Sequence, residues 1–174
     1  MELNQLYFYT ATILSWKSLL KPDKYKEIII ESLKYLSAKQ KIAVYAFVIM
    51  PNHIHLIWEM LAKNGKEMPQ ASFMKHTSHS FLKDLKSNHP QVLPSFELKN
   101  NPSRKYQFWQ RNSLAIWLYT PMVIEQKMNY IHANPVLEKW SLAKEPQDYY
   151  YSSANFYETG KNSFGFLQHY GDRV

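Results

Sequence analysis

The sequence contains no cysteine, which excludes disulfides, thiolate zinc sites and cysteine nucleophiles together and fits a reducing compartment. No apolar run approaches the roughly 20 residues of a membrane-spanning helix. The opening Met1-Glu2-Leu3-Asn4 lacks the basic segment and apolar core of a secretion signal. No internal repeat or low-complexity linker interrupts the 174 residues. That length suits one domain with a real core, or one domain and a short tail.

What is present is a globular composition with a basic excess. Hydrophobic residues make up 45% and charged residues 20%, so a packed core is expected and disorder is not. The net charge of +7 favours a polyanionic partner, either nucleic acid or an acidic membrane surface. The 13 tyrosines and 5 tryptophans serve a core first, and in a basic chain they can also stack exposed bases.

Residues 5–13 are rich in aromatic and β-favouring types and predict a strand. After Pro22-Asp23, Tyr25, Ile29, Leu33 and Leu36 recur at helical spacing. Residues 41–49 form a continuous apolar run, read as a buried strand. Pro51-Asn52 then punctuates the chain before a second strand over 53–59, so the two should pair as an antiparallel hairpin. Residues 62–69 read as a loop, 70–87 as an amphipathic helix, and 88–104, with three prolines, as an exposed, mobile loop. Residues 105–119 look extended, with a break at Arg111-Asn112. Thr120-Pro121 is a helix start, threonine capping and proline at the first position, and this helix must stop by Pro135. The order β-α-β-β-α-β-α predicts an α+β, ferredoxin-like or RRM-like sandwich, an antiparallel sheet with helices on one face.

Strand alternation puts His53, His55 and Ile57 on one face and Ile54, Leu56 and Trp58 on the other. Two imidazoles on a rigid strand form half of a divalent-metal site, although a lone His-X-His is more often a surface pair. In the last helix, Ile124, Met128 and Ile131 form an apolar stripe, while Tyr130 and Asn134 stand at i and i+4 and can face one site. Lys75, Lys83, Lys86, Arg104, Lys105 and Arg111 are candidate phosphate contacts. His76 and His79 lie at i, i+3 on the second helix, where a solvated face is the simpler reading. His132 is read as structural or as a DNA contact, and Trp109 as core.

The segment VIMPNHIHLIWEM (48–60) resembles the His-hydrophobic-His motif of HUH endonucleases. MNYIHANPV (128–136) resembles the tyrosine motif of their single-tyrosine branch, the REP-associated tyrosine transposases. YFYTATILSW (7–16), FWQRN (108–112) and DYYYSSANFYETG (148–160) are similar to the same group. The resemblance covers nearly the whole chain, with the motifs in the family's order; 112–120 is less polar than the family's usual stretch.

The resemblance implies a ferredoxin-like domain in which His53 and His55 bind Mg²⁺ or Mn²⁺, Asn134 completes the metal site, and Tyr130 is the nucleophile. Related insertion-sequence transposases commonly carry glutamine at the place of Asn134. A tyrosine phenol is a weak nucleophile at neutral pH and needs activation. The implied product is a 5′-phosphotyrosine link with a free 3′-hydroxyl, which can later be transferred to another strand.

The expectation is therefore a metal-dependent transposase-like enzyme that cuts and joins single-stranded or hairpin DNA. A non-cutting binder of hairpin DNA or RNA descended from such an enzyme is the alternative, and a replication or conjugation initiator of the same chemistry is a third reading. Residues 1–140 are expected to form the nuclease domain and 141–174 an irregular tail packed on it. A possible homodimer, no membrane partner and a cytoplasmic, nucleoid-associated setting of bacterial type complete the expectations.

Overall fold

A computed structural model describes residues 1–99 and 101–173. Four strands, β1 (Leu6–Thr12), β2 (Ile42–Ile49), β3 (His53–Met60) and β4 (Leu114–Trp117), form one sheet in the order β2-β3-β1-β4, every neighbouring pair antiparallel. Helices α1 (Asp23–Ala38), α2 (Pro69–Asn88) and α3 (Pro121–Ala133) follow in the chain order expected, β-α-β-β-α-β-α, and a short α4 (Ala154–Thr159) lies beyond. The fold is an α+β ferredoxin-like sandwich.

Alternation along the central strands divides the core in two. Tyr9, Ala11, Ile54, Leu56 and Trp58 face the layer of α1 and α2, where Ile29, Leu33, Phe73, Phe81 and Leu85 are buried against them. The Tyr25 hydroxyl donates to Asp84 at 2.6 Å and joins the two helices. Leu6, Phe8, Val48 and Ile57 face the other way and meet the Ile124, Met128 and Ile131 stripe of α3. Two helices therefore share one face, and α3 lies on the opposite one, the face that carries the histidines. The start of α3 is as the sequence predicts: the Val123 amide donates to Thr120 Oγ1 at 3.3 Å, and Pro121 occupies the first turn.

One loop region behaves differently from its composition. Pro90–Phe96 is a 3-10 helix whose Leu93 and Phe96 are buried, with the Phe96 and Phe108 rings 5.0 Å apart. Apolar burial overrides the prolines here, so part of the expected exposed loop belongs to the core. Farther along, the expected break at Arg111-Asn112 is a left-handed Asn112 (φ 61°), a conformation asparagine tolerates better than most residues.

The segment after α3 runs beside β2. The Ser153 amide donates to the Phe47 carbonyl at 2.9 Å, the Ile49 amide to the Tyr151 carbonyl at 2.9 Å, and the Gln168 amide to the Val44 carbonyl at 3.0 Å. These bonds cover the free edge of β2, a strand buried along its whole length, and an uncovered edge of that kind invites intermolecular pairing. Among the described residues, no helix is long and apolar enough to cross a membrane.

Candidate active site

His53 and His55 project from the start of β3, held by the tight β2–β3 connection in which the Met50 amide donates to the His53 carbonyl at 2.8 Å. Their ring centroids are 4.7 Å apart. His55 is 5% exposed and His53 is half-buried. Each ring is anchored through Nδ1. His55 Nδ1 lies 2.7 Å from the hydroxyl of Thr10, its cross-strand neighbour on β1. His53 Nδ1 lies 2.6 Å from Asn52 Oδ1, and the Asn52 amide donates onward to the Trp16 carbonyl at 3.3 Å. An amide oxygen only accepts, so His53 carries its proton on Nδ1 and leaves Nε2 with a lone pair. The same assignment for His55 leaves its Nε2 buried with no hydrogen-bond partner.

Burial lowers the pKa of both imidazoles, His53 to about 4 and His55 to about 3. The positive charge of Lys139 adds to the effect on His53, and the His55 ring feels His53, Lys127 and Lys139 as well. Both rings are neutral near pH 7 and have lone pairs to offer.

Tyr130 comes to the same place from α3. Its ring centroid is 5.2 Å from that of His55 and 6.1 Å from that of Phe8, which itself stacks on His55 at 5.3 Å. The side chain is 50% exposed, so a large substrate can reach it, and one chain supplies both the tyrosine and the histidines. Asn134 stands one turn on. A residue before proline usually avoids the helical region, yet Asn134 keeps it (φ −55°, ψ −46°). There α3 tightens into a 3-10 turn over Asn134–Val136, the Asn134 amide donating to the Ile131 carbonyl. The side chain is 2% exposed, and its Oδ1 has no hydrogen-bond partner.

Leaving a buried polar atom unpaired costs about 1–3 kcal/mol, so the unpaired His55 Nε2 beside a half-exposed tyrosine, and the unpaired Asn134 Oδ1 one turn along α3, each call for a partner. Two imidazole nitrogens and an amide oxygen suit a divalent cation that accepts mixed nitrogen and oxygen donors. Among the described residues, no third histidine, cysteine or carboxylate joins the pair.

Five of the six candidate phosphate contacts line one groove of about 780 Å³ between α2 and residues 104–111: Lys75, Lys86, Arg104, Lys105 and Arg111. Lys83 is not among its lining residues. Lys75 is paired with Glu67 at 3.1 Å. Helix α2 packs on the face of the sheet opposite the histidines, so the groove and the tyrosine are reached from different sides. Trp109 is core and donates to Thr77 Oγ1 at 2.9 Å. His132 is structural, its Nε2 lying 2.8 Å from Ser153 Oγ. His79 lines the groove, and His76 is exposed.

Sequence reasoning did not find Thr10 or Asn52 as ring anchors. Asn52 carried a usable signal, a polar side chain adjacent to His53; Thr10 becomes visible only with the β1–β3 register. Trp140, whose ring is 5.8 Å from that of His53 and whose Nε1 is buried and unpaired, lies in a segment with no regular pattern.

No family model matches the chain, and no curated protein matches it in sequence. Its fold is found among solved structures. A REP-associated tyrosine transposase bound to a REP hairpin superimposes with a TM-score of 0.62 at 18% identity, over 96% of this chain and 87% of that one. A Deinococcus radiodurans protein described as a transposase aligns over 72% of this chain and 87% of that one, at 17% identity and a TM-score of 0.39. The first of these shares the fold.

Proposed function

We propose that this chain is a tyrosine HUH endonuclease of the REP-associated transposase type, a divalent-metal-dependent enzyme that cuts and rejoins single-stranded DNA next to a hairpin. The observation that carries the reading is the buried, unpartnered His55 Nε2 beside the accessible Tyr130, with the unpartnered Asn134 Oδ1 one turn along the same helix. The hairpin bound by the structural neighbour and the basic groove under α2 support the choice of nucleic acid.

A phosphodiester resists attack because its own charge repels nucleophiles; Mg²⁺ or Mn²⁺ would offset that charge and polarise the phosphorus. His53, His55 and Asn134 would hold the ion, with Asn52 and Thr10 fixing the ring orientations, as outer partners of metal-bound histidines do. Tyr130 would attack the phosphorus. The bond from its phenolic oxygen to phosphorus forms as the bond to the 3′-oxygen breaks, and the phenolic proton ends on that 3′-oxygen. The products are a 5′-phosphotyrosine and a free 3′-hydroxyl. The reverse step, with a 3′-hydroxyl from another strand, joins DNA with no external energy source. Positioning and electrostatics carry most of such a reaction, which suits a site of rigid imidazoles on a strand facing a tyrosine on a helix.

Labelled single-stranded hairpin DNA with Mn²⁺ tests this reading. The expected result is a covalent protein–DNA adduct, stable to denaturation, that Tyr130→Phe abolishes while hairpin binding persists. Adduct formation or cleavage by Tyr130→Phe at the wild-type rate overturns it. A wild-type chain that binds hairpins tightly and never forms an adduct belongs to the non-cutting reading instead.

A further inference from the structure

The two histidines sit in the middle of a file of rings that ends in a lysine on each side. Lys127 Nζ lies 4.9 Å from the centre of the Phe8 ring. Phe8 stacks on His55, His55 meets His53, and His53 meets Trp140 at 5.8 Å. Lys139 Nζ lies 5.7 Å from the centre of the Trp140 ring. Among the described residues, neither lysine has an ion-pair partner.

This arrangement is unusual for a cation site. All three candidate donors are neutral, and the file of rings that contains the two histidines ends in an ammonium group at each side. A divalent ion placed there alone keeps its full charge, gains no carboxylate and is repelled by both lysines. Hard cations such as Mg²⁺ and Mn²⁺ also prefer several oxygen ligands, and Asn134 offers one. A phosphodiester supplies what is missing: anionic oxygens for the ion and negative charge for the lysines.

We infer that Lys127 and Lys139 form a phosphodiester clamp that makes metal binding at His53, His55 and Asn134 conditional on a DNA strand being in place. Cation and strand bind jointly, and by linkage each raises the affinity of the other by the same factor. The inference rests on the function proposed above and adds an order to it, since without a strand the site holds the ion weakly.

The test titrates Mn²⁺ into the Tyr130→Phe chain, with and without a single-stranded oligonucleotide, at constant ionic strength. Paramagnetic broadening of the His53 and His55 imidazole resonances reports the ion at this site and not ion bound elsewhere on the DNA. Half-broadening is expected at a free Mn²⁺ concentration at least about tenfold lower with the strand. In the Lys127→Met, Lys139→Met double variant, the strand-free chain should bind Mn²⁺ several-fold more tightly, and the strand should help less. Lys127→Arg with Lys139→Arg should restore the wild-type pattern, which a merely structural role for the lysines does not require. Equal broadening with and without the strand overturns the clamp and leaves the metal site standing. So does a methionine variant that binds Mn²⁺ no more tightly than the parent when no strand is present. No broadening under any condition overturns the metal site and the clamp together.

Discussion

Two histidine sites in this molecule share their burial and differ in one respect. His55 and His132 are both largely buried, and burial lowers both pKa values, to about 3 and about 4. The His132 ring spends its Nε2 on Ser153, which in turn bonds the Phe47 backbone. The His55 ring spends its Nδ1 on Thr10 and leaves Nε2 empty. Burial and a depressed pKa are common to a structural histidine and a candidate ligand. What separates them is that the nitrogen left without a protein partner is sealed from solvent in His55, while no nitrogen of His132 is both buried and unpaired.

Exchanging each histidine for alanine should separate the two most sharply. His55→Ala is expected to lower adduct formation on the order of 100-fold or more, since even outer partners of metal ligands are worth 10–100-fold. Its loss of stability should be partly offset, because the unpaired Nε2 goes with the ring. His132→Ala should do the opposite, losing roughly 1–3 kcal/mol in denaturant unfolding with adduct formation per folded molecule unchanged. Equal losses of activity in the two variants would erase the distinction.

The anchors give the next largest effect. Asn52→Ala and Thr10→Val should each weaken Mn²⁺ binding roughly 10–100-fold by freeing a ring, read by titration calorimetry in the presence of the oligonucleotide. Neither should change groove-dependent hairpin binding measured without metal.

How far the site was legible follows from what sequence spacing encodes. Alternation within one strand placed His53 and His55 on a common face, and helical spacing placed Tyr130 away from the Ile124, Met128 and Ile131 stripe. Both are local properties of regular elements. Thr10 depends on which residue of β1 lies opposite His55, and a one-residue slip would replace it. Helical spacing also set Asn134 one turn after Tyr130, but the steric preference of a residue before proline did not foretell that it keeps a helical backbone there. Trp140 and Lys139 come from an irregular segment, and their approach to His53 is a matter of tertiary packing. The same reason hid the docking of Leu93 and Phe96, whose proline-rich setting argued for solvent.

Acid should act on both histidine sites together. His53, His55 and His132 have native pKa values of about 4, 3 and 4, against 6.5 for an unperturbed imidazole. Between those values the unfolded chain binds more protons than the native one, so stability rises with pH. The contribution is complete above pH 6.5 and is lost as the pH falls toward 4. Melting temperatures recorded from pH 7.5 to 4 should decline through that window, and a flat profile would contradict neutral, buried rings.

The smallest effect expected lies in the groove. Lys86→Ala or Arg104→Ala should weaken hairpin binding modestly and reduce the slope of log affinity against log salt by about 1 each. Lys83→Ala, outside the groove, should leave both unchanged. Equal slopes for all three variants would remove the groove from the DNA path.

The seal on β2 has a consequence for the birth of the molecule. The Phe47 amide is bonded to Ser153, 106 residues later, and the Ile49 carbonyl to the Tyr149 hydroxyl, 100 residues later. A ribosome delivers the β2–β3 hairpin long before it delivers its cover, and contacts so distant in sequence form slowly. During that interval a strand of eight apolar and aromatic residues, IAVYAFVI, has one side open to any neighbouring chain. Crowded nascent chains would meet along that strand first, so yield on overexpression should depend on how quickly residues 149–153 arrive, more than on the stability of the finished fold.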